Sequence, residues 1–67
     1  MPMPKEVLDT IAADIVKAES SLADLKDVVS DMRLSGMDTT KQQAEFDELS
    51  KKLRSMKTFY DLRKAKA

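Results

Sequence analysis

Between Lys5 and Ser35 the chain has neither proline nor glycine, and an apolar residue returns at alternating intervals of four and three. The positions are Leu8, Ile11, Ile15, Ala18, Leu22, Leu25, Val29 and Met32. A strand would scatter them over both faces, whereas a helix gathers them on one. The pattern is that of four heptads, with Leu8, Ile15, Leu22 and Val29 at a and Ile11, Ala18, Leu25 and Met32 at d. Pro4 suits the first turn, where a missing N–H costs no intrahelical bond, and Glu6 and Asp9 face the positive end of the helix dipole. The spacing predicts a helix over about residues 4–34.

The segment RLSGMDTTKQQ carries both a stop and a restart. Gly36, the single glycine of the chain, can close a helix in the left-handed conformation, and Arg33 lies in the last turn, where positive charge is favoured. Asp38, Thr39 and Thr40 are all suitable N-caps, and Thr39 followed by Gln42 fits a capping box. A second helix is predicted over about 39–64, after a turn at 35–38 and before a frayed C-terminal tail. Its seam is Phe46, Leu49, Leu53, Met56 and Tyr60, with Phe59 and Leu62 widening the stripe. So short a link makes an antiparallel hairpin, and residues 1–67 form one all-α domain. Layers pairing Leu22 with Leu49, Leu25 with Phe46, Ile15 with Met56 and Ile11 with Tyr60 are one expected register.

At about 1.5 Å per residue the first helix is roughly 45 Å long, so the molecule is a rod. Two helices enclose no interior, and a chain of 67 residues sits where one core barely offsets conformational entropy. Val7 and Val28 at g, Val16 at b, and Phe59 and Leu62 would stay wet in a two-helix coil. A four-helix bundle covers several of them, so the hairpin is expected to assemble as an antiparallel homodimer or on a helical protein partner. The expected association seam is Leu8, Ile11, Ile15, Leu22, Leu25, Val29, Phe46, Leu49, Leu53, Met56, Phe59 and Tyr60.

Several classes are excluded on composition. There is no cysteine and no histidine, which removes disulfide and zinc staples and points to a cytoplasmic protein. The N-terminal MPMPKEVLDT has no basic region followed by an apolar block, and no run approaches the roughly 20 apolar residues of a membrane span. No glycine-rich phosphate loop occurs. Asp24, Asp27 and Asp31 share a helix face, yet without histidine or an enclosing loop they read as a solvated acidic face rather than a metal site. Tyr60 and the lysines have nothing around them to enclose a substrate. The expectation is a non-enzymatic protein with no cofactor, no metal and no small-molecule substrate.

Net charge is zero, but the charges are unevenly placed. From Asp38 to Glu48 there are four acids and one lysine; from Lys51 to Lys66 there are seven bases and one acid. Folded as a hairpin, the chain has an acidic turn end and a basic open end, and two rods laid antiparallel bring unlike ends together. The stretch KKLRSMKTFYDLRK sets cations beside Phe59 and Tyr60, a pattern that also serves nucleic acids, since cations neutralise phosphates and rings stack on bases. Lys51, Lys52, Arg54 and Lys57 are the candidate anion contacts, although cations near a helix C-terminus also complement its dipole. This short hairpin layout resembles the plasmid copy-number regulator Rop, a helical hairpin that dimerises into a four-helix bundle. The resemblance covers length and topology and no residue motif. It implies a nucleic-acid-binding dimer as the alternative to a protein-association role. The bases lie on several helix faces, which suits a membrane surface poorly.

Overall fold

A computed structural model describes residues 3–66. Two helices, α1 (Lys5–Leu34, 30 residues) and α2 (Thr40–Lys66, 27 residues), pack against each other as a hairpin. The result is a rod of 52 × 15 × 12 Å. Its length is that of one helix and its cross-section that of two, as the uninterrupted heptads require.

Pro4 stands at the N-cap with φ −58° and ψ 146°, and its carbonyl accepts from the N–H groups of Val7 and Leu8 at 3.1 and 3.2 Å. At the other end α1 closes in a Schellman arrangement. Met37 N–H donates to the Met32 carbonyl at 2.9 Å, and Gly36 N–H to the Arg33 carbonyl at 3.0 Å. Both bonds need Gly36 at φ 79°, a conformation that costs a residue with a Cβ about 1–2 kcal/mol. Ser35 Oγ also donates back to the Asp31 carbonyl at 2.8 Å.

The start of α2 differs in its chemistry from the expected capping box. Asp38 takes the capping role: its carboxylate accepts from the Thr40 N–H at 3.0 Å and from the Thr40 hydroxyl at 2.7 Å. Those two bonds, the hydroxyl first, hold the Asp38 carboxyl below its ordinary pKa. Thr39 is buried under the turn, and its carbonyl accepts the first helical bond, from Gln43 N–H at 2.9 Å. At its far end α2 continues to Lys66, beyond the expected end near residue 64. Arg63, Lys64 and Lys66 sit in this last turn, where their charges complement the carbonyl end of the helix. Ala67, the end of the expected tail, lies outside the described residues.

Packing follows the heptads but stays shallow. Leu8, Ile15 and Val29 from the a positions of α1, and Leu53 from α2, are the buried hydrophobic side chains. Even these keep 8–9% of their surface, and among the described residues no side chain is fully enclosed. The d positions Ile11, Ala18, Leu25 and Met32 are all half-buried. One helix covers one edge of its neighbour's stripe, and the a edge of α1 is the covered one.

Candidate association surface and basic end

Eleven of the twelve expected seam residues lie along the helix–helix contact. Besides the four buried ones, Ile11, Leu22, Leu25, Phe46, Leu49, Met56 and Tyr60 are half-buried. Phe59 stands apart, with 42% of its surface open. Phe46 lines a groove with Val29, Lys26 and Arg33, in the turn that follows Leu25.

The two flanks of the seam are chemically different. Writing Phe46, Leu53 and Tyr60 as a and Leu49, Met56 and Arg63 as d puts Lys57 at e, and Glu19 is at e of α1. Helices running in opposite directions turn the same heptad flank to the same side, so e meets e and g meets g. Glu19 and Lys57 do meet, Oε2 to Nζ at 3.2 Å, which fixes the e flank in space. The same flank holds the groove of about 400 Å³ around Val29 and Phe46, rimmed by Lys26, Arg33, Gln43 and Asp47. Sequence reasoning missed this groove; the signal was available in the cationic e positions Lys26 and Arg33 close to the turn. Val29 and Phe46 form its floor and charged groups its rim, and with no enclosing wall it is an open trough rather than a reaction site.

The g flank carries Val7 and Val28 from α1 and Phe59 from α2, all exposed. The Arg63 guanidinium lies 5.7 Å from the Phe59 ring centre, and the Lys64 ammonium 5.8 Å from that of Tyr60. Each is an i, i+4 cation–π contact worth about 0.5–1 kcal/mol at an exposed site. Leu62 extends the patch outward, in a shallow hollow shared with Arg54, Ser55, Thr58 and Phe59.

Lys51, Lys52, Arg54 and Lys57 are all exposed, but they do not converge on one face. Lys51, Arg54 and Lys57 follow at intervals of three and form a slanting stripe that ends at the e flank. Lys52 falls on the g flank, and Lys57 is already paired with Glu19. Asp24, Asp27 and Asp31 are exposed, and among the described residues no group of three or more side chains is placed to hold a metal ion. Among the described residues no helix is long and apolar enough to cross a membrane.

Fold and surface together define a two-helix hairpin with an ion pair and a charged groove rim on one flank and exposed Val7, Val28 and Phe59 on the other. No protein-family model matches the chain, and neither a curated protein nor a solved structure matches it.

Proposed function

We propose that the protein works through protein–protein association, as a self-assembling helical bundle in an adaptor or regulatory role, with the antiparallel homodimer as its working form. The observation that carries this reading is the unfinished core: no described side chain is fully enclosed, while Val7, Val28, Phe59 and Leu62 are open to water. Exposed apolar surface on a rod with so little interior gains most by covering itself with another rod. Catalysis has no support in the site, and a cysteine-free chain suits a cytoplasmic setting.

The test is molar mass by light scattering at two concentrations, combined with thermal melting at each. Dimerisation gives a mass near twice 7.5 kDa and a melting temperature that rises with concentration. A mass of 7.5 kDa at the higher concentration, with a cooperative transition independent of concentration, would overturn the reading.

A second reading, a nucleic-acid-binding hairpin dimer, is favoured by one observation: Lys51, Arg54 and Lys57 form an exposed cationic stripe off the apolar seam. A dimer formed through the apolar flank leaves that stripe free for an anionic polymer.

A further inference from the structure

We infer that the g flank of the hairpin is the docking face, that its occupant is a second copy of this chain, and that each helix lies antiparallel on its own counterpart. This rests on the self-association reading and adds to it which face is used and how the copies are oriented.

The face follows from the Glu19–Lys57 pair. It marks the e flank beside the covered a edge, and the half-buried d residues of α1 adjoin the opposite, g flank. On that side α1 presents Val7, Ile11, Leu25, Val28 and Met32, and α2 adds Phe59. Val7 is 41% and Val28 50% exposed, an unusual environment for valines beside a heptad seam. Along α1 the row is interrupted only by Asp14 and Ser21 at g, and by the small Ala18 at d.

The occupant and its direction follow from charge. On this flank α2 carries Glu45 and Glu48 near the turn, and Lys52, Arg63 and Lys66 towards the open end. Two copies laid face to face in the same direction would gather both sets of glutamates at one end of the assembly and both sets of these bases at the other. Reversed, they place Glu45 and Glu48 of each beside Arg63 and Lys66 of the other, and unlike charges fix orientation even where they add little affinity. Reversed rods related by a two-fold axis put α1 on α1 and α2 on α2; an axis running along the rods would put α1 on α2. Antiparallel α1 pairing carries Val7 of one copy to the Val28–Met32 end of the other. The axis then crosses α1 midway between those ends, near Ala18. On α2 the midpoint between Glu45 and Lys66 falls at Ser55, and the Glu19–Lys57 pair holds both midpoints at about the same height along the rod.

The absence of cysteine makes the test direct. Ala18→Cys places a thiol beside its own copy at the axis, and Ser20→Cys places one on the outer surface. Under mild oxidation Ala18→Cys is expected to form a disulfide-linked dimer at protein concentrations where Ser20→Cys stays monomeric on denaturing gels, because the bond needs the two Cα atoms within about 7 Å. Val28→Lys should raise the dimer dissociation constant by at least about 30-fold, as for an interface hot spot. Asp14→Ala removes the one charge on the α1 row and should lower that constant.

If the unmodified protein sediments as a monomer, the self-association reading itself fails. If it dimerises but Ala18→Cys links no faster than Ser20→Cys, and Val28→Lys and Asp14→Ala leave the constant unchanged, self-association stands and this face is wrong. Should Val28→Lys lose helix as a monomer, the paired cysteine variants decide alone. A mass that rises only when RNA or DNA is added would also overturn the proposal.

Discussion

The Glu19 carboxylate and the Lys57 ammonium meet across the hairpin at 3.2 Å, each side chain about half exposed. The pair joins the middle of α1 to α2 near the point where the chain turns basic. Its energetic share is small, because a half-exposed ion pair gives up part of its Coulomb gain to water and to the entropy of two long side chains. A double-mutant cycle of Glu19→Ala and Lys57→Ala should yield a coupling of about 0.2–1 kcal/mol that falls as salt rises. Urea midpoints of the four proteins at two ionic strengths measure it, and a larger, salt-insensitive coupling would mean the pair is better shielded than its exposure indicates.

Stability should instead track the shallow seam. Leu53 is the buried hydrophobic residue of α2, and Leu53→Ala is expected to lose about 2–5 kcal/mol. Leu22 is only half-buried in the hairpin, yet Leu22→Asp sets a carboxylate in the middle of the apolar stripe. That variant should unfold the rod or dissociate the assembly, seen as lost helical circular dichroism and lower mass. Unchanged melting and mass would remove Leu22 from the centre of the contact.

Much of this architecture is readable from spacing alone. The interval pattern from Leu8 to Met32 leaves no alternative to a long helix, and one glycine at position 36 marks the turn because only its φ of 79° permits both closing bonds. Other features depend on competition between similar groups. Asp38, Thr39 and Thr40 all suit a cap, and composition cannot say that the Asp38 carboxylate would engage Thr40 while Thr39 is buried. That α2 runs on through Lys66 accords with the favourable charge of Arg63, Lys64 and Lys66 in its last turn. The Glu19–Lys57 pair and the groove around Phe46 required the register of two helices, which the capping signals left free by several residues. Phe59, one position and about 100° of rotation from Tyr60, lies off the α2 seam as its spacing implies, and its ring is open in the single hairpin.

The start of α2 should be acid-sensitive. The folded-state pKa of Asp38 is depressed, so its contribution is present above the ordinary value of 3.8 and is lost as pH falls through the lower folded value. Protonation leaves a weaker acceptor for the Thr40 N–H and hydroxyl. Nuclear magnetic resonance of the Thr40 amide should show a titration with a midpoint below 3.8, accompanied by fraying confined to the first turn of α2. Asp38→Asn keeps an acceptor without the charge and should abolish that titration. A Thr40 midpoint at or above 3.8 would show that the carboxylate gains nothing from its two bonds in solution.

The basic end allows a last prediction, in which association and nucleic-acid binding part company. Changing Lys51, Lys52, Arg54 and Lys57 together to Gln touches only exposed positions, so helicity and mass should be nearly unchanged apart from the small loss of the Glu19 pair. If these side chains contact phosphates, affinity of the unmodified protein for duplex DNA should fall with salt at a log–log slope near −0.9 per phosphate, about −0.7 on single strands, and the four-fold variant should lose it. The aromatic pair separates the readings from the other side. Tyr60 is half-buried, so Tyr60→Ala should destabilise the hairpin itself, whereas Phe59→Ala, at an exposed ring, should leave the fold and weaken self-association. Base stacking would give a different signature: both variants would keep mass and melting temperature and lose about 1–3 kcal/mol of nucleic-acid affinity for each base contact. A dimer of full strength that melts normally without either ring, and that binds RNA or DNA with a steep salt slope, would put nucleic-acid recognition ahead of protein association.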